Sequence, residues 1–251
     1  MKTIVVTQAR SNSTRLPNKV LMKIQDTTLL QIHIDRIKQA KNVDEVIIAT
    51  TINKGDDVIA DLANDLNVEV YRGSENDVLD RFYQAVKEKK PDFIVRLTSD
   101  CPLIDPQLLD DMIVSAKQRG LDYYSNVLEE RYPDGQDVEV FTYKALETTW
   151  KNAELKSDRE HVTPFIRNNS SFNGGSLFKS DNHKLKEDYS MVRLTVDEAK
   201  DFKVMELIIG NLGIDKTWKI YADYYLENED IKKINSSIIR NEGYLKSLKE
   251  D

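Results

Sequence analysis

The chain predicts an α/β protein built on a parallel sheet. Two observations carry that prediction: four short apolar, β-branched runs fall within the first hundred residues, and a segment of helical period separates each from the next. The runs are residues 3–9, 45–50, 68–71 and 93–98. Between them, Leu29, Ile32, Ile34, Ile37 and Ala40 form one apolar stripe, and Val58, Ile59, Leu62, Ala63 and Leu66 form a second. Val78, Leu79, Phe82, Ala85 and Val86 form the third. Strands alternating with helices of this length make right-handed crossovers, and ligands of such sheets bind beyond the carboxyl ends of the strands.

A fourth helix is expected over Pro106 to Arg119, after which the alternation loosens. Residues 137–141 and 191–196 read as two further strands. Residues 168–190 are polar and turn-rich and read as a mobile excursion. From about residue 198 the chain reads as a helical arm, with a polar tail after Asn235 that is expected to fray.

Composition bounds the function. With 251 residues, 40% hydrophobic and 31% charged, the chain can bury one substantial core, and a single domain over 1–251 is expected. A net charge of −7 argues against a protein that coats nucleic acid or an anionic membrane, so any anion it binds needs a local site. The one cysteine, Cys101, cannot form an internal disulfide, which fits a reducing compartment. No apolar stretch approaches the roughly 18 residues that span a bilayer, and the opening run is too short for a signal peptide, so a cytoplasmic location is expected.

The first strand runs into Gln8-Ala9-Arg10-Ser11-Asn12-Ser13-Thr14-Arg15-Leu16-Pro17-Asn18-Lys19. Arg10 and Arg15 can fork onto phosphate oxygens, Lys19 can neutralise them as a point charge, and Ser11, Ser13 and Thr14 can fill remaining acceptors. A basic polar loop can equally be plain solvated surface. Its place after the first strand of a parallel sheet favours phosphate binding, and Leu16-Pro17 would stiffen it. The glycine-rich loop ending in Gly-Lys-Ser/Thr is lacking, which excludes a Walker-type ATPase.

This segment resembles the opening motif of the cytidylyltransferases that make CMP-activated acidic sugars, such as CMP-Kdo and CMP-sialic acid synthetases. Asp100-Cys101-Pro102-Leu103-Ile104-Asp105-Pro106 and Asp158-Arg159-Glu160-His161-Val162-Thr163-Pro164 look like signatures of its spore coat polysaccharide biosynthesis protein F-like branch. The resemblance covers nearly the whole chain. It implies a Rossmann-like, three-layer fold with a mostly parallel mixed sheet, CTP as nucleotide, magnesium as metal, and a homodimer, for which residues 122–141 are the candidate excursion. It also implies that Arg10, Ser11, Arg15 and Lys19 hold the triphosphate and that Ala9 and Arg10 border the cytosine. Gln8, Thr98 and Ser99, at the ends of the first and fourth expected strands, complete the expected nucleotide set. Asn18 stands where the family has glycine.

Asp100 follows the fourth strand and so faces the phosphates; magnesium takes one or two carboxylates beside phosphate oxygens and water. A helix cap is the competing role, but Asp105 already fills that slot before Pro106. Asp197 corresponds to the second metal-side aspartate of the resembled family, although Asp-Glu-Ala-Lys also reads as a helix start. Arg96 and Arg193 could pair with these acids or with substrate. Cys101 is read as packing, because nucleotidyl transfer needs no covalent partner.

On the acceptor side, Asp137 and Glu139 would share a strand face. Asp158 and His161 would meet on a helix, with Glu160 beside them, and Arg159 suits a sugar carboxylate. The implied reaction is attack by an acceptor hydroxyl on the α-phosphorus with loss of pyrophosphate. Lys19→Ala and Asp100→Asn are expected to lower turnover with little change in melting temperature. A glycosyltransferase of the related fold would show an Asp-x-Asp pair, but Ser99-Asp100-Cys101 lacks the second acid. A noncatalytic nucleotide binder would have no use for a metal aspartate.

Overall fold

The computed structural model of the chain describes residues 1–251. Strand β1 (Thr3–Gln8) is buried at every position but the last, as a central strand covered on both faces requires. A two-stranded ribbon, β2 (Lys23–Ile24) and β3 (Thr27–Thr28), leads to α1 (Leu29–Ile37), which Thr28 caps by accepting the amide of Gln31. Then β4 (Glu45–Thr51), α2 (Asp57–Asp65), β5 (Glu69–Gly73), α3 (Val78–Val86) and β6 (Phe93–Thr98) alternate as the hydrophobic pattern predicts. Helix α4 (Pro106–Arg119) begins on Asp105, which accepts the amides of Gln107 and Leu108, and ends at Gly120 with φ 56°.

Beyond it lie β7 (Tyr123–Ser125), β8 (Glu139–Thr142), α5 (Tyr143–Asn152), α6 (Lys156–His161), α7 (Pro164–Asn168) and β9 (Ser180–Asn182). The chain closes with α8 (Ala199–Leu212), α9 (Trp218–Glu227), α10 (Glu229–Asn235) and α11 (Glu242–Ser247).

The main sheet has the order β5-β4-β1-β6-β8-β7-β9. Its first four strands are parallel, β8 runs antiparallel to β6 and β7, and β9 is parallel to β7. The architecture is therefore three-layered α/β with a mostly parallel mixed sheet. One face is covered by α1, α2 and α4, through Leu30, Ile59 and Leu109. The other is covered by α3, α5 and α7, through Phe82, Leu146 and Ile166. Helices α8 to α10 pack into a third apolar cluster with Leu29 and Leu103. Pairing of Gln8 with Thr98 brings the loops after β1 and β6 out side by side.

Four expectations change. Residues 191–196 form no ladder: Arg193 makes a single bridge to Asp134, and the amide of Val196 donates to the carbonyl of Asp100. Val192, Leu194 and Val196 are buried, so the alternation was real, but the segment crosses the end of the sheet instead of joining it. Residues 168–190 are not a free excursion, because β9 closes the sheet edge and Asn182 Oδ1 accepts the amides of Leu128 and Glu129. The tail after Asn235 folds back and ends in α11. Residues 122–141, read as an excursion, contribute β7 and β8 to the sheet. No helix is long and apolar enough to cross a membrane.

Candidate active site

The loop after β1 is closed by its own backbone and tied to α2. The amide of Asn18 donates to the carbonyl of Ser11 at 2.8 Å, with Asn18 in the left-handed region at φ 57°, a conformation asparagine tolerates better than most residues. Asp56, just before α2, accepts the amide and hydroxyl of Ser11 at 2.7 and 2.6 Å and also the hydroxyl of Thr51. The hydroxyl of Ser11 thus orders the loop and is not free for phosphate.

That closed loop turns Lys19 back toward the tip of β6. Its Nζ lies 2.7 Å from Asp100 Oδ2 and 2.8 Å from Asp197 Oδ1. Arg15 Nη2 reaches the same Asp197 oxygen at 2.9 Å. Arg193 orients Asp197 from behind at 3.1 Å while it also binds Asp134 and Asp201, so its guanidinium pairs with carboxylates. Burial opposes charge on Asp100, yet the Lys19 ammonium and its hydrogen bond outweigh that and hold the Asp100 carboxyl well below the usual range. Burial likewise opposes charge on Lys19, and the two aspartates reverse the sign and raise its pKa. Both groups are ionised at neutral pH.

A cleft of about 830 Å³ opens over this ion cluster. Gln8, Ala9, Arg10, Thr98 and Ser99 line it together with Arg15, Lys19, Asp100 and Asp197. Ser11 does not. Gln8 Oε1 is buried without a partner, while its carbonyl accepts the Ser99 hydroxyl at 2.6 Å. Arg10 is 44% exposed and its nearest acid is Glu75 at 3.5 Å. Cys101 is buried, and burial followed by the field of Asp100 pushes its thiol well above the ordinary value, as a packing residue rather than a nucleophile.

The five acceptor-side candidates separate. Glu139 is buried, hydrogen-bonded by Arg96 Nη1 at 2.6 Å and Tyr123 Oη at 2.5 Å, and committed to the interior. Asp137 precedes β8 and binds Arg240 Nη2 at 2.6 Å. Arg159 gives Nε and Nη2 to Asp77 at 2.9 and 2.7 Å and Nη1 to the carbonyls of Trp150 and Ala153, and it does not line the cleft. Its role is to pin α6 to α3. Glu160 and His161 do line the cleft, and both meet the Ser247 hydroxyl of α11, at 2.9 and 3.0 Å. Asp158 does not meet His161; its Oδ1 is buried without a partner. Burial first, then the field of Arg96, pushes the His161 pKa down to about 4, so the imidazole is neutral near pH 7.

Sequence reasoning missed Asp56, Arg240 and α11. Asp56 is one acid among many in a polar stretch, and no local spacing ties it to Ser11, 45 positions away. Arg240 and α11 lie in a segment whose polar composition signals only solvation.

A cytidylyltransferase family model matches residues 4–233. An uncharacterised protein of Methanocaldococcus jannaschii is 42% identical over 247 residues, spanning 97% of this chain and 98% of that protein. The spore coat polysaccharide biosynthesis protein SpsF of Bacillus subtilis is 34% identical over 215 residues, 84% of this chain and 87% of that one. Among solved structures, a cytidylyltransferase from Leptospira borgpetersenii superposes with a TM-score of 0.86 at 32% identity, covering 96% of this chain and 100% of its own. The chain belongs to the cytidylyltransferase family and is a nucleotidyltransferase.

Proposed function

We propose that the protein couples CTP to a hydroxyl of an acidic sugar, giving a CMP-sugar and pyrophosphate for surface polysaccharide synthesis. One observation carries the reading: a single ammonium, Lys19, is gripped by Asp100 from the β6 tip and by Asp197 from the far segment, with Arg15 on the same carboxylate. Cationic loop and paired acids therefore meet at one point on the cleft wall, where a triphosphate tail has both charge partners it needs. The Bacillus relative, named for spore coat polysaccharide biosynthesis, supports the polysaccharide context.

The donor set suits magnesium. Two carboxylates already share one cation, and magnesium takes one or two carboxylates with phosphate oxygens and water completing its shell. No third His, Cys, Asp or Glu joins them to make an all-protein metal site, which fits a metal that arrives with the nucleotide. Bound there, magnesium would supply charge neutralisation at the α-phosphate. The chain's own residues do the rest: Arg15 and Lys19 stabilise charge on departing pyrophosphate, and Arg193 holds Asp197 in place. Alignment and electrostatics account for the acceleration.

The test is incubation with CTP, magnesium and a panel of acidic sugars, reading pyrophosphate and CMP-sugar. Release that needs both CTP and the acid supports the reading. Failure with every acid, or turnover of a preformed sugar nucleotide without CTP, defeats it.

A further inference from the structure

We infer that Arg96 is the side chain that grips the carboxylate of the acceptor, with His161 and Tyr244 of α11, which line the same cleft, completing that subsite. The inference rests on the acidic-sugar reading above and names the residues that would read the acid.

The cations of the cleft can be taken in turn. Arg15 and Lys19 serve the phosphate side, held on Asp197 and Asp100. Lys156 and Lys246 are 61% and 63% exposed and paired with Glu250 and Glu242, so water screens them. Arg193 does not line the cleft and is saturated by three carboxylates. Arg10 is 44% exposed beside Glu75, and Arg81, whose Nε also lacks a partner, is 2% exposed with its Nη1 on the Ser74 carbonyl, too deep to meet a ligand. Arg96 differs. Its side chain is 13% exposed, it lines the cleft, only its Nη1 is engaged, and its Nε is buried without a partner.

The surrounding charge makes Arg96 receptive. Glu139 is the carboxylate for both Arg96 and Arg167, which stands 3.6 Å away, so two guanidiniums share one acid. Asp137 is taken by Arg240. A partly desolvated guanidinium with spare donors favours an anion that forks onto it, and a carboxylate has that geometry.

The C-terminal segment shapes the subsite. The Tyr244 ring lies edge-on to His161 with centroids 5.1 Å apart, and the Arg167 guanidinium sits 5.7 Å from its centroid. Ser247 ties α11 to Glu160 and His161. Neutral His161 adds a hydrogen-bonding edge without a competing charge. Tyr244 lies past residue 233, where the family match ends.

The experiment compares wild type, Arg96→Gln and Tyr244→Ala in CTP binding and in pyrophosphate release with an acidic sugar and with its methyl ester. For Arg96→Gln, kcat/KM for the acid is expected to fall roughly a hundredfold, CTP affinity to stay within about twofold, and the preference for acid over ester to disappear. For Tyr244→Ala, acceptor KM is expected to rise about fivefold or more with CTP affinity unchanged. Wild type inactive with every acid overturns the acidic-sugar reading and this inference with it. Active wild type with Arg96→Gln still preferring the acid overturns this inference alone. If Arg96→Gln does not fold, an unchanged acceptor KM in Tyr244→Ala overturns it.

Discussion

Ser11 gives its amide and its hydroxyl to the same oxygen of Asp56, at 2.7 and 2.6 Å, and this pair sets the shape of the cationic loop. Burial opposes the Asp56 charge, but the bonds from Ser11 and Thr51 prevail and keep its pKa below the ordinary value. Asp56→Ala leaves buried donors without an acceptor, at a cost of about 2 to 4 kcal/mol. It also frees the loop, so CTP affinity is expected to drop about tenfold or more. Chemical denaturation and CTP titration measure both effects. Unaltered CTP affinity would show that Asp56 does not order the loop for binding.

The ion cluster alters what Lys19→Ala should do. The sequence suggests a turnover defect with an unchanged melting temperature, but Lys19 is only 12% exposed and bridges two acids. Its loss leaves Asp100 without that counter-charge and should cost about 1 to 3 kcal/mol. Asp100→Asn keeps an oxygen that accepts from Lys19 and should cost less. Both should slow pyrophosphate release by about a hundredfold or more. The ammonium also sits where the two carboxylates would share a metal, so Lys19→Ala should bind magnesium more tightly than wild type when no nucleotide is present. Calorimetric titration decides this: equal affinities would place the metal elsewhere.

Gly135 has φ 106°, and a Cβ built there would stand 2.6 Å from the backbone carbonyl of Leu194. Both the backbone angle and the contact exclude other residues. Gly135→Ala must displace the segment carrying Arg193 and Asp197, for a loss of about 3 kcal/mol or more. The melting temperature reads it, and a fall of less than a degree would disprove the close approach.

His33 is buried against Asp100's neighbour, with Nδ1 2.8 Å from the Cys101 carbonyl and Nε2 2.9 Å from the Thr7 hydroxyl. A carbonyl only accepts, so Nδ1 carries the proton. Burial first, opposed by that bond, pushes its pKa down to about 4. The unfolded chain takes up a proton near pH 6.5, the folded one only near pH 4, so stability is intact above about 6.5 and falls between 6.5 and 4. The loss from this group is about 3 kcal/mol at most. Denaturation at pH 7 and pH 4.5 checks it; His33→Gln should flatten the slope, and an equal slope in that variant would acquit His33.

Local information sufficed for the parallel half of the sheet. Residues 93–98 and 106–119 stand where the apolar pattern and the Asp105-Pro106 start signal put them, because a strand buried on both faces must be apolar throughout and a helix must cap its first amides. The same local reading picked out the cationic loop and Asp100, since their residue types and places after strands are written in the chain, whereas Asp197 is marked by the family resemblance and by the apolar run before it. It misread residues 191–196, whose alternation reports burial on one side but not whether a pairing strand lies alongside.

Tertiary structure alone decided which of these groups meet. Lys19 joins Asp100 and Asp197 across 81 and 178 positions, Arg159 goes to Asp77 and not to the cleft, and Arg240 brings the tail onto Asp137. A sequence states what charge a residue carries and on what kind of element it sits. Which opposite charge it finds depends on the order in which strands enter the sheet and on where the polar tail returns, and those are properties of the folded whole.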